Sequence, residues 1–398
     1  MLKSDELRYP KYIILILAIL IILVVQIPTD IYLPAFTAIK NTFHTTNEQI
    51  QYTISIYMFL YGLSHFIYGP LVDVHGRRII ILISTLVFLT GTLTCAIATN
   101  FTWFLLGRIL QGLSAGAFST ISRAVLRDSF SEYRLSHVSS ILSIIFAIIP
   151  PFAPVLGAYL KVHLGWRSIF STLSIYILLV FILLYFFLPE TLREREHIFS
   201  IKNSILQYRK IFSNKIFLKY ALCSSLTLSG MIVYVIESPV YFLEKLQISP
   251  IIYGWLFIVT ALCLVLGSAF NMMLIKHKFV LNNIMFLASI MMMLASILML
   301  IIWKLNHVTI ASVLVFIMIY LFGAGIIFPN AFTLAMSGVE KNIGITTSAY
   351  GAIQMLGVGI ITSCIAYLTG DSQLIMACSL LMVSLLTFSL LFYPKRSS

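Results

Sequence analysis

The sequence predicts an all-α membrane protein of twelve transmembrane helices arranged as two pseudo-symmetric halves of six. Three observations predict it: a composition too apolar for a water-facing surface, a dozen apolar runs of bilayer length, and Lys and Arg confined to one set of links. Of 398 residues, 60% are apolar and 10% charged, against about 45–50% and about 25% in an average soluble domain. Lipid is therefore the solvent. The net charge of +12 suits a nucleic-acid partner only when gathered on a folded face. Here the cations sit in short gaps between apolar runs, so the charge reads as topological and no nucleic acid is expected.

A hydrocarbon core of about 30 Å takes ~20 helical residues to cross. Runs of that order occupy 12–35, 50–70, 79–98, 101–123, 136–160, 168–188, 217–242, 251–274, 280–302, 308–332, 344–368 and 373–393. The first follows Met1–Lys11 and outruns a secretory apolar region, with no small-x-small cleavage site, so it reads as a retained helix. An even count places both termini on one side. With a cytoplasmic N-terminus, twenty of the 26 Lys and Arg fall inside, five (Lys40, Lys161, Arg167, Lys245, Lys304) fall outside, and Arg108 lies within a span. The positive-inside rule then predicts a bacterial inner (cytoplasmic) membrane, multi-pass, with both termini cytoplasmic.

The longest polar stretch, around Pro189–Asn214, divides the chain into a six-helix half over 1–188, a cytoplasmic linker over 189–215 and a second six-helix half over 216–398. An internal repeat supports the division. Asp30 follows Lys11 by 19 residues and Glu237 follows Lys219 by 18, and each acid precedes a proline, Pro34 or Pro239. Cys95, Cys223, Cys263, Cys364 and Cys378 lie in apolar runs without a C-x-x-C pair, so they read as packing residues, with neither disulfide nor metal site. No nucleotide-binding G-x-x-x-x-G-K-[ST] is present, so neither ATP nor any cofactor is expected.

Asp30, Arg108 and Glu237 are the charges well inside spans, where insertion costs ~2.5–3.5 kcal/mol for Asp or Arg at the centre. Such groups face a partner or an aqueous cavity. Asp30 and Arg108 fall at similar depth, either as a static pair that fixes packing or as a carboxylate whose proton affinity Arg108 controls. Arg108, Gln111, Gly112 and Ala115 share one helical face. Tyr57, Tyr61 and His65 share another; the tyrosines read as cavity lining or as filling, and His65 as a second titrating group or a hydrogen-bonded packing residue. Asn330 and Gln354 are further candidate cavity residues in the second half. A catalytic cluster of His, Asp, Glu or Cys near one membrane face is missing, so a transporter and not an enzyme is predicted.

Gly69-Pro70-Leu71-Val72-Asp73-Val74-His75-Gly76-Arg77-Arg78 resembles the loop signature of the major facilitator superfamily, and Arg108 to Gly116 resembles its span-four motif. Pro150-Pro151-Phe152-Ala153-Pro154-Val155-Leu156-Gly157-Ala158-Tyr159-Leu160 is similar to the span-five motif of the drug:proton antiporters, with Ala158 for the usual second glycine and His65 for the usual span-two Gln. Thr29–Phe36, Ser122–Asp128, Gly165–Phe170, Glu237–Tyr241 and Phe328–Ala331 resemble the bicyclomycin-resistance (Bcr/CflA) multidrug transporters, except that Glu237 replaces a small residue.

The resemblance implies the major facilitator fold and a proton-coupled antiporter that exports small toxic compounds or drugs by alternating access; a dedicated exporter of a metabolite such as a siderophore or amino acid is the alternative. The buried charges Asp30 and Arg108 are the expected proton-coupling residues, with Glu237, a second membrane acid where the family has a small residue, as a further candidate. A conformational latch follows from Gly69, Asp73, Gly76, Arg77, Arg78, Arg127 and Asp128, and a helix-kink motif from Pro150, Pro151, Pro154 and Gly157. The expected partners are a small-molecule substrate, protons and the lipid bilayer, with the chain acting as a monomer.

Overall fold

The computed structural model describes residues 10–130, 138, 149, 151–192, 201–306, 309–337, 343–368 and 370–392. They form helices joined by short links. Helix α1 (Lys11–Asp30) carries Pro28 inside it and ends just ahead of Pro34; the two prolines withhold backbone donors, and the helix breaks at the acid. A 3₁₀ turn, Leu33–Ala35, leads into α2 (Phe36–Phe43), which closes on His44 at φ 51°.

A reciprocal cap opens α3 (Asn47–His75): Gln49 N donates to Thr46 Oγ1 and Thr46 N donates to Gln49 Oε1. Gly76, at φ 95°, turns the chain into α4 (Arg77–Ile97). Asn100 caps α5 (Phe101–Ser129). Helical residues 151–164 form α6, and α7 spans Arg167–Phe187. The predicted linker contains a helix of its own, α8 (Ile201–Phe212). Helix α9 (Lys215–Pro239) passes through a π turn, Val240–Lys245, to α10 (Pro250–Lys276). Then follow α11 (Leu281–Lys304), α12 (Ile310–Met336), α13 (Ile343–Ala366) and α14 (Ser372–Phe392).

Ten stretches among the described residues are long and apolar enough to cross a membrane: α1 with α2, α4, α5, α7, α9 with its π turn, and α10 to α14. Twelve were expected. Helix α3 has 29 residues, about 43 Å of rise, but Gln51, His65 and its tyrosines keep it below the hydropathy of the other ten. The run at 136–160 lies mostly outside the described residues, Pro150 included.

Glycine contacts bring α3 and α13 to backbone distance. A Cβ on Gly62 would strike the backbone of Met355 and Leu356, and one on Gly359 would strike Phe59. Near the α5–α7 end the rings of Tyr32, Phe104, Trp166 and Phe170 interlock, with Phe104 and Phe170 at 5.3 Å and perpendicular. Arg167 stacks on Trp166 at 4.3 Å and donates to the Ala98 carbonyl at 2.9 Å, which gives the Gly165–Phe170 motif a packing role.

Candidate functional site

Arg108 is fully buried, and α5 aims it at the break after α1. Its Nη1 donates to Gln111 Oε1 at 2.7 Å and to the Pro28 carbonyl at 3.3 Å, and its Nε to the Thr53 carbonyl at 3.5 Å. Gln111 is held in turn by donating to Thr92 Oγ1 at 2.8 Å. The guanidinium lies over Tyr57 at 4.5 Å and Tyr32 at 4.8 Å, where ring quadrupoles and peptide carbonyls stabilise the cation. Its Nη2 has no hydrogen-bond partner among the described residues.

Asp30 and Arg108 do not form an ion pair here; the bonds of Arg108 go to Gln111, Pro28 and Thr53. The Pro28 carbonyl at the end of α1 and Gln111 share Nη1, while Nη2 stays free among the described residues. Asp30 is half-buried, and among the described residues no hydrogen bond or ion pair reaches it. Gly157 packs on the next residue: a Cβ there would overlap the Ile31 carbonyl. The kink motif of α6 therefore abuts the Ile31–Tyr32 peptide, one residue past Asp30, while Val155 abuts Gly254 of α10.

Glu237 is 2% exposed and accepts from Gln51 Nε2 at 3.2 Å. Around it, Lys40 Nζ lies 2.6 Å from Glu244 Oε1 and Asn47 donates to Glu244 Oε2 at 3.1 Å. These bonds tie α2 and α3 to α9 and its π turn, closing that end of the bundle.

A cavity of about 690 Å³ occupies the other end. It runs from His65 past Ser119 and Arg123 to Asp73, Arg127 and Gly344 beside the α3–α4 turn, with Tyr350, Gln354, Phe328 and Phe332 opposite. His65 Nδ1 sits 3.0 Å from the Tyr61 carbonyl and Nε2 sits 2.8 Å from Ser119 Oγ. The carbonyl requires the proton on Nδ1, which leaves Nε2 to accept from the serine. Gln354 donates to Ser224 Oγ at 2.9 Å.

His65 and Gln354 line this cavity; Tyr57, Tyr61, Gln111 and Asn330 do not belong to its lining. Tyr57 donates to the Val25 carbonyl at 3.0 Å, Tyr61 stacks on His65 at 4.9 Å, and Asn330 exchanges amide bonds with Asn271 at 2.7 and 3.3 Å.

At the cavity rim, Arg77 reaches Asp73 at 3.0 Å and Asp128 at 3.2 Å, while Arg127 lies 3.8 Å from Asp128. Glu190, which was not anticipated, accepts from Arg77 N at 2.9 Å and Arg78 N at 3.2 Å. It supplies the anion at the N-terminus of α4, and a Cβ on Gly76 would overlap its carboxylate. Arg78 donates to the Tyr185 carbonyl at 2.7 Å. Gly69 admits Tyr208 of α8, whose hydroxyl would lie 2.9 Å from a Cβ there. Among the residues sequence reasoning passed over, Arg123 carried the clearest signal, lying fifteen residues beyond Arg108 on a related face of α5.

The family profile described as Major Facilitator Superfamily matches residues 17–362. Relatives by sequence include the MFS-type transporter YdgK of Bacillus subtilis, 28% identical over 82% of each chain. Multidrug resistance protein D of Escherichia coli is 25% identical over 90% of each chain, and a bicyclomycin resistance protein homolog of Haemophilus influenzae is 28% identical over 61% of each. Among solved structures, a D-xylose-proton symporter superposes with a TM-score of 0.73 at 14% identity, covering 97% of this chain and 99% of that one. The partially occluded inward-open xylose transporter XylE from E. coli gives 0.71 at 14% identity, covering 97% and 98%. At that identity the likeness is one of fold.

Proposed function

The chain belongs to the major facilitator superfamily, a family of transporters and not of enzymes, and from that premise we propose that it exports small toxic compounds or drugs in exchange for protons. The reading counts α3 and the run at 136–160 as spans, which makes twelve, and takes 1–188 and 216–398 as halves that rock about the cavity, with 189–215 as linker. It places the chain in a bacterial inner membrane with both termini cytoplasmic. Names of relatives that refer to multidrug and bicyclomycin resistance support the substrate class.

One observation carries the coupling. Among the described residues, Arg108 keeps an unused donor, Nη2, and no hydrogen bond or ion pair reaches the Asp30 carboxylate. In this reading the carboxylate takes a proton while apart from the guanidinium and releases it when a rearrangement of α1 brings the two together. The cavity end is then cytoplasmic and the end closed by Gln51–Glu237 and Lys40–Glu244 is external. A potential of 100 mV contributes ~2.3 kcal/mol per charge moved. The test is substrate-driven proton movement in proteoliposomes carrying Asp30→Asn: loss of proton movement is expected, and unchanged coupling would sink the assigned role.

A further inference from the structure

The cavity carries a cation with no counter-charge among the described residues. Its charged and imidazole lining among the described residues is His65, Asp73, Arg123 and Arg127. Asp73 is committed to Arg77, Arg127 has Asp128 beside it, and both ring nitrogens of His65 are engaged. Arg123 has no acidic partner among the described residues, and it is exposed only because its helix face borders the cavity. A guanidinium placed against low-dielectric walls is costly unless an anion joins it.

Three residues before Arg123, on the same side of α5, Thr120 also lines the cavity, and its buried hydroxyl, one rotamer away from the cavity, has no hydrogen-bond partner among the described residues. Across the cavity stand aromatic faces, with Phe332 and Tyr350 edge to face at 5.2 Å. A planar cationic fork, an idle hydroxyl and an aromatic wall make a site with one anionic end and one apolar body.

We propose that this cavity takes a small apolar carboxylate, with Arg123 gripping the carboxylate, Thr120 donating to it, and Phe332 and Tyr350 packing on the apolar body. This deepens the transport reading and rests on it, because it assigns the substrate class of the same cavity. Export of an anion from a negative interior is also assisted by the potential.

The test compares two probes of one shape and opposite charge, naphthylacetate and naphthylmethylammonium, by titration calorimetry on the purified full chain in detergent. Naphthylacetate is expected to bind more tightly. Arg123→Gln is expected to weaken it about tenfold or more, as for loss of a charge-assisted hydrogen bond, Arg123→Lys to retain most of the affinity, and the cation to lose no affinity with either, since Arg123→Gln only relieves its repulsion. Thr120→Val supplies a milder variant, with a loss of a few fold. Equal binding to Arg123→Gln, tighter binding of the cation, or no binding of naphthylacetate overturns the proposal. Binding in detergent needs no proton gradient. Arg123-dependent binding with no proton movement in proteoliposomes therefore sinks the transport reading alone, and proton-coupled movement of the cation without anion binding sinks this one alone.

Discussion

Gln51 Nε2 donates to Glu237 Oε1 across 3.2 Å, joining α3 to α9 where both side chains are buried. The same amide reaches the Ile236 carbonyl at 3.4 Å. Among the described residues the acid therefore has one donor, from a helix on the far side of the 189–215 stretch. Gln51→Leu removes that donor and leaves a buried polar group unsatisfied, at a cost of about 1–3 kcal/mol. Thermal midpoints of the purified variants are expected to show that loss, with Glu237→Leu in the same chain recovering most of it. Additive effects of the two changes would count against the coupling.

Arg108→Lys is expected to reduce transport at least tenfold. Lysine keeps the charge but cannot serve Gln111, Pro28 and Thr53 from one planar fork while lying between two rings. Gln111→Leu, which spares the carbonyl bonds, is expected to lose less. Initial rates in proteoliposomes decide.

Glu190→Ala removes an acceptor from the first two amides of α4, and helix-capping losses run at about 0.5–2 kcal/mol. Gly76→Ala is expected to destabilise at least as much, because an L residue at φ 95° is strained and its Cβ meets Glu190. Both are read as a fall in thermal midpoint, and Glu190→Gln, which keeps an acceptor oxygen, is expected to fall between Glu190→Ala and the parent.

Asp371, in the link before α14, offers a pH test. Burial alone would raise its carboxyl, but hydrogen bonds from Lys245 Nζ at 2.6 Å and Gln373 N at 2.9 Å, with the lysine charge, hold it below the usual carboxylate range. A lowered folded value means stability that is present above the unfolded value and lost as pH falls through the folded one. Asp371→Asn is therefore expected to lower the thermal midpoint at neutral pH, by the equivalent of about 1 kcal/mol or less for so exposed a pair. The gap to the parent closes in acid; a gap that widens in acid would contradict the assignment.

Hydropathy made the long helices legible, and the cost of burying a charge singled out Arg108. Sequence could not give the partners. Arg108 reads as half of an ion pair until the Pro28 and Thr53 carbonyls are seen beside it, and backbone carbonyls have no letter. Asn330 read as cavity lining because a polar residue in a span needs a reason; its reason is Asn271, 59 residues earlier. Arg123 counted with the topological arginines near helix ends, since periodicity does not say where a cavity stops. Glu190 sat in the polar stretch taken for a linker, 113 residues from the amide it caps.

The approach of Gly157 to the Ile31 carbonyl has a mechanical consequence. Two backbones at that separation have no side-chain rotamers to absorb a displacement, so a slide of α6 bears directly on the Ile31–Tyr32 peptide, one residue past Asp30. Because Val155 also bears on Gly254, α6 stands like a connecting rod between α10 and the chain just past Asp30, and a tilt of α10 would reach that break with no flexible side chain between.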